Sequence, residues 1–223
     1  MANVLLGVTG SVAAIRTPAL YAALRDRGHS VRVIATNAAF YFFDAAELDP
    51  EHAGRNPAVV TVDADEWPGH DSGHRYQRDE PVPHIELRRW AHLLVIAPLD
   101  ANTLAKLAAG IADNCLTCVW RAWDLNRPVL LAPAMNTLMW EHPLTARHLR
   151  QLATDAVRRD PPAGLTAEQL IDWINANSTK LRIVGPVTKR LACGDVGIGA
   201  MAEVDEIVAA VVATAALSPE GAT

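Results

Sequence analysis

Asn3–Val8 is an unbroken apolar run, and Thr9-Gly10-Ser11 follows it directly before apolar residues recur at helical spacing at Val12, Ile15, Ala19 and Ala23. The pattern predicts strand, tight turn, helix. Gly28 closes that helix and residues 31–35 (VRVIA) supply the next strand, so the chain opens with a βαβ unit and a parallel strand pair. Further apolar runs at 58–62, 93–97, 129–132 and 181–184 alternate with helical segments. This alternation predicts an α/β fold: a doubly wound, Rossmann-like or flavodoxin-like parallel sheet flanked by helices.

Two stretches interrupt it. Residues 63–83 (DADEWPGHDSGHRYQRDEPVP) are dense in Asp, Gly, Pro and His and show no periodicity, which predicts a long surface loop of the kind that often carries function. Residues 153–166 read as a second polar connection, ending in a capping box of Thr166 and Gln169 with a hydrophobic staple of Leu165 and Leu170. A helix over about 167–177 should follow. The last helix carries a one-sided stripe of Val204, Ile207, Val208, Val211, Val212 and Ala215, and the tail from Ser218 should fray. One domain over 1–217, with a frayed 218–223, accounts for the whole pattern.

Composition narrows the class. Half of the 223 residues are hydrophobic and only 5% are aromatic, as suits helices packed on a sheet and not a disordered chain. The net charge is −5 and no Lys/Arg run exceeds two, so an anionic ligand would need a local site and nucleic acid is not the expected partner. No apolar stretch approaches the roughly 20 residues that cross a bilayer. A soluble, cytoplasmic protein is expected. Cys115, Cys118 and Cys193 make an odd count, which fits free thiols in a reducing compartment.

Three strand ends carry candidate chemistry. Gly10-Ser11 puts free N–H groups and a hydroxyl at a helix start, where a phosphate could sit, although an ordinary βα turn would look the same. The spacing is not that of a dinucleotide loop, and no Lys follows as an NTP loop requires. After 93–97, the turn Pro98-Leu99-Asp100-Ala101-Asn102-Thr103 enters a helix capped by Asn102 or Thr103, and two such turns at the ends of parallel strands would converge on one crevice. After 129–132, Pro133-Ala134-Met135-Asn136 leads into Thr137-Leu138-Met139-Trp140. By themselves these read first as packed core, yet Asn136 stands at a strand end and can offer both a donor and an acceptor to a ligand amide or carboxylate.

Other residues point less sharply. His29, His52, His70, His74, His92, His142 and His148 have no motif behind them and are expected at the surface or in caps. Cys115-x-x-Cys118 lies in an apparent helix without a second pair at zinc spacing, so buried thiols are expected and no metal. Lys189 and Arg190 could pair with a substrate phosphate or merely be solvated.

Together, PHIELRRWAHLLVIAPLDANTLAKLAAGIADN, PAMNTLMWEHP and KRLACGDVGIGAMAE, with GVTGSVAA near the start, resemble the flavin-dependent, homo-oligomeric cysteine decarboxylases, and among them the phosphopantothenoylcysteine decarboxylases of coenzyme A biosynthesis. The likeness runs to about Glu203, with residues 152–180 longer than is usual there. It implies an FMN phosphate and ribityl shell of Gly10, Ser11, Val12, Asp100, Ala101, Asn102 and Thr103, with Ser commoner than Asp at position 100 in such proteins. Thr36, Ala134 and Trp67 are implied as further flavin contacts, His84 as the catalytic histidine and Asn136 as the clamp on the substrate carboxylate. Met139, Lys189 and Arg89 are implied at the substrate, and Cys193 as a flap cysteine. A homo-oligomer, a trimer or a multiple of it, with part of helix 101–110 in the interface, is implied too.

The implied chemistry explains these residue types. Direct decarboxylation of a cysteine amide would leave an unstabilised carbanion, so the thiol is first oxidised to a thioaldehyde with FMN as acceptor, and loss of carbon dioxide then gives an enethiolate. His84 serves as base or polar orienter, and Cys193 as the proton donor when reduced FMN returns the hydride. A peptidyl-cysteine decarboxylase shares fold and route. A non-catalytic regulatory homologue would lack one of His84, Asn136 and Cys193, and a flavin prenyltransferase would have no use for Cys193.

Overall fold

The structure, a computed structural model, describes residues 1–54, 56–190 and 196–216. Strand β1 (Asn3–Val8) pairs in parallel with β2 (Ser30–Ala35) on one side and β4 (Leu93–Leu99) on the other. Beyond β2 lies β3 (Val60–Val62), and beyond β4 lie β5 (Val129–Pro133) and β6 (Leu181–Ile183), giving six parallel strands in the order β3-β2-β1-β4-β5-β6. That order reverses the direction of winding between β1 and β4, which opens a crevice beyond their carboxyl ends.

Both faces of the sheet are covered. Along β1, Val4, Leu6 and Val8 enter one apolar cluster and Leu5 the other; along β4, Leu93, Val95 and Ala97 enter the first and Leu94 and Ile96 the second. A strand buried on both faces needs apolar residues at every position, so the chain shows runs where a half-exposed strand would alternate. Helices α1 (Thr17–Asp26) and α8 (Val204–Ala216) close the first face through Leu20, Leu24, Ile207 and Val211. On the second face lie α2 (Pro83–Trp90), α3 (Ala101–Ala109), α4 (Cys115–Arg121), α6 (Pro143–Val157) and α7 (Ala167–Asn177), contributing Leu87, Leu104, Leu116, Leu149 and Leu170. Among the described residues no helix is long and apolar enough to cross a membrane.

A short helix, α5 (Thr137–Trp140), follows β5, and an antiparallel pair, β7 (Val187–Arg190) and β8 (Val196–Ala200), docks against it. The Met135 N–H donates to Gly199 O at 2.9 Å, and a Cβ at Gly197 or Gly199 would run into Thr137 or Met135 O.

Several boundaries differ from expectation for local reasons. The first helical pattern divides into a 3-10 turn, Val12–Arg16, and α1, because Pro18 has no N–H to donate and fits only a first turn. Strand β3 begins only at Val60, since Val59 and Val60 donate back to Asn56 O in a turn around Pro57. Helix α6 runs on to Val157, where Arg158 caps it at a φ of 56°, so the second polar connection is 158–166. Within 63–83 the turns Asp63–Glu66 and His70–Ser72 are 3-10 helical. The capping box is present, with Thr166 N donating to Gln169 Oε1 at 2.9 Å and Gln169 N to Thr166 Oγ1 at 3.3 Å. His142 caps α6 and His92 accepts from Asn3 N, but His29 is buried, folded under Ala2 by the left-handed turn at Gly28, and burial lowers its pKa. The tail from Ser218 lies outside the described residues.

Candidate functional site

A cleft of about 700 Å³ opens beyond the carboxyl ends of β1, β4 and β5, within the range of small-molecule and cofactor sites. Its walls include Gly10, Ser11 and Val12 after β1, Asp100, Ala101 and Asn102 after β4, and Ala134, Asn136 and Met139 after β5. Lys189 of β7 and Gly199 and Ala200 of β8 close one side. Three segments far apart in sequence thus meet at the point where the sheet changes direction.

Hydrogen bonds hold these turns in place. Thr9 Oγ1 donates to Pro98 O and accepts from Asp100 N, both at 2.8 Å, which ties the end of β1 to the end of β4. Asp100 Oδ1 accepts from Thr103 N at 2.6 Å and caps α3, while Ser11 Oγ and Asn136 Oδ1 cap the turns that follow them, accepting from Ala13 N and Leu138 N. Gly10 is required by close approach, because a Cβ there would stand 2.6 Å from Ala38 Cβ. Two cations reach the wall together: Arg16 donates to Glu203 Oε2 at 2.6 Å and Lys189 to Glu203 Oε1 at 2.8 Å. Those hydrogen bonds, Lys189 foremost, hold the Glu203 carboxyl below the usual range.

The remaining expected residues fall elsewhere. Thr36, Trp67, His84, Arg89 and Thr103 do not line this cleft. Thr103 is buried inside the α3 cap, and Thr36 is buried at the end of β2 with an Oγ1 that has no hydrogen-bond partner among the described residues. Trp67 is 64% exposed, and Arg89 is exposed on the last turn of α2. Cys193 lies outside the described residues.

His84 belongs to a second cluster. Pro83 starts α2 and places His84 in its first turn, where Nδ1 meets Glu66 Oε1 of the turn Asp63–Glu66. Beneath them stand Cys115 and Cys118 of α4. Burial, and then the charge of Glu66, pushes both thiols up, and burial likewise raises Asp63. Glu66, His84 and Cys118 offer ligand atoms within 4.8 Å of one another, but a thiol pushed up by a neighbouring carboxylate resists the deprotonation that a soft metal needs.

The flavoprotein family matches residues 1–216. A mouse phosphopantothenoylcysteine decarboxylase is 46% identical over 220 residues, covering 98% of this chain and 89% of its own. The chain belongs to the phosphopantothenoylcysteine decarboxylase family of flavoproteins. Among solved structures, a cysteine-to-serine mutant of PPC decarboxylase complexed with pantothenoylaminoethenethiol matches with a TM-score of 0.73 and 41% identity over 95% of this chain and 97% of the other. The FMN binding protein AtHal3 matches with a TM-score of 0.70 and 41% identity over 95% of each chain. In this member of the family three residues of these clusters, Glu66, Arg16 and Glu203, carry no mark in the sequence. Glu66 sits among other acids in an aperiodic loop, and Arg16 and Glu203 are 187 positions apart, so no local signal marks them.

Proposed function

We propose that this chain is an FMN-dependent carboxy-lyase that converts 4′-phosphopantothenoylcysteine to 4′-phosphopantetheine in coenzyme A biosynthesis, and works in the cytoplasm. The observation that carries this reading is the single cleft onto which Gly10, Ser11, Asp100, Asn102, Ala134 and Asn136 converge, in a chain 46% identical to a decarboxylase of that name.

The cleft suits a flavin mononucleotide. The N–H groups of the turn after Gly10 suit the phosphate. A phosphate dianion would be repelled by the Asp100 carboxylate, so that residue and Asn102 are assigned to the ribityl hydroxyls. Ala101 and Ala134 leave flat walls for the ring, and Thr36, which does not line the cleft of the free chain and whose Oγ1 has no hydrogen-bond partner among the described residues, is assigned as a further contact made once the flavin is bound. FMN bound there would supply a reversible two-electron acceptor for oxidation of the substrate at its thiol-bearing carbon. Asn136 holds the cysteinyl carboxylate, Met139 forms the adjoining wall, and Lys189, shared with Glu203, is assigned to the substrate phosphate; Arg89, outside this cleft and on the same helix as His84, is assigned to the substrate of a neighbouring copy. His84 takes the thiol proton, and Cys193 protonates the enethiolate carbon.

The cleft of one chain does not include His84 or Trp67. We assign both to the cleft of a neighbouring copy in a homo-oligomer, a trimer or a multiple of it. Val12, Ile15 and Met139 at the cleft and Tyr41 and Leu138 beside it are exposed apolar side chains, as an interface requires.

Purified protein should carry about one FMN per chain and release carbon dioxide from phosphopantothenoylcysteine, with a saturated thiol as the product by mass. Failure to bind FMN, or turnover confined to peptides ending in cysteine, would overturn the reading. Light scattering that finds a flavin-loaded monomer would remove the shared site.

A further inference from the structure

We propose that Glu66 is the positioning residue of His84, holding Nδ1 of the imidazole as the donor so that Nε2 is the nitrogen that exchanges the proton with substrate. The contact carrying this joins Glu66 Oε1 to His84 Nδ1, between the 3-10 turn Asp63–Glu66 and the first turn of α2. A carboxylate can only accept, so a neutral imidazole in this contact must place its proton on Nδ1 and leave the Nε2 lone pair open. The burial of the two side chains differs in the sense this role needs. The Glu66 side chain is 1% exposed, whereas that of His84 is 22% exposed, so the acid is sealed from water while the ring remains reachable.

Among the described residues no Lys or Arg competes for this carboxylate. Glu66 Oε2 is buried without a hydrogen-bond partner among the described residues, and no ion pair among them joins Glu66 to Lys or Arg. The groups packed around it are the thiols of Cys115 and Cys118, themselves driven towards the neutral form. A buried carboxylate with one strong partner fixes that partner's orientation, because turning the ring away would leave the acid with nothing but the weak donor of the Cys115 thiol beside it, at a cost above that of losing a surface pair. In the catalytic step the substrate S–H bond breaks, its proton forms an N–H bond at Nε2, and Glu66 keeps its own contact to Nδ1 throughout.

This inference rests on the assignment of His84 as the catalytic histidine, so its test has one arm that does not need turnover. In ¹⁵N-edited spectra of the FMN-loaded protein, with the His84 signals assigned by their loss in His84→Asn, the neutral ring should be the Nδ1–H tautomer, and Glu66→Gln should relax that preference. The second arm is kinetic: Glu66→Gln should lower kcat about 100-fold with KM and FMN content unchanged, as expected when the amide N–H donates to Nδ1, favours the wrong tautomer, and no charge remains to stabilise the protonated ring. Glu66→Asp keeps the charge but withdraws it from Nδ1, and should fall between the two. A wild-type ring in the Nε2–H form, or wild-type kcat in Glu66→Gln, overturns the proposal. An ordered Nδ1–H tautomer in a protein that never decarboxylates its substrate would instead uphold the contact and defeat the functional reading.

Discussion

Replacing Gly10 by alanine tests whether the turn after β1 is held as closely as the cleft requires. The added methyl would stand 2.6 Å from Ala38 Cβ and 3.5 Å from Asp100 Oδ2. Carbon atoms prefer a separation of about 3.5–4.0 Å, so the turn and the 3-10 helix Asn37–Tyr41 must part by roughly 1 Å. Overpacking on this scale costs about 1–3 kcal/mol, or about 2–12 °C in Tm for a domain of this size. The displaced N–H groups are those assigned to the FMN phosphate. If 1.4 kcal/mol of that strain is relieved only by giving up phosphate contact, affinity falls about tenfold. Titration of apoprotein with FMN, followed by quenching of flavin fluorescence, measures this directly. Because the clash is with a single methyl, Ala38→Gly in the same chain should restore both FMN affinity and most of the lost Tm. Wild-type affinity in Gly10→Ala alone, or a double variant no better than the single one, would show that the turn does not cradle the cofactor.

His84→Asn should keep FMN and lose turnover, and it should also lower stability by about 1–3 kcal/mol because the buried Glu66 carboxylate loses its partner; urea melts and flavin content separate these effects. Cys193→Ser should still decarboxylate once. Since a hydroxyl is a much weaker acid than a thiol, the oxidised enethiol should accumulate with reduced flavin under anaerobic conditions, and a saturated product at the normal rate would end the role of Cys193. The Cys115 thiol, pushed up by burial, stays protonated at pH 8, so iodoacetamide should label it only in denaturant, as peptide masses before and after urea can show.

The parallel sheet was legible in the chain because its strands are buried on both faces and therefore read as continuous apolar runs. β1 was found residue for residue, and so was α7, whose start is written locally in the Thr166/Gln169 box. The three turns of the cleft were legible for a similar reason: each follows such a run at once, and parallel strands must deliver their carboxyl ends to one edge. Where a boundary depended on a single backbone donor, as at Pro18 and at Asn56, periodicity carried no information about it. Pairings between distant segments were decided only by the tertiary structure. Glu66 meets His84 because the turn after β3 and the start of α2 pack side by side on α4, and Arg16 meets Lys189 across Glu203 because α8 returns to the first face of the sheet. Hydrophobic period and caps act over a few residues and can be read along the chain, whereas a side-chain contact depends on how whole layers stack. For that reason the sequence marks His84 only as part of a local motif, and the contact it makes with Glu66 is decided by the fold.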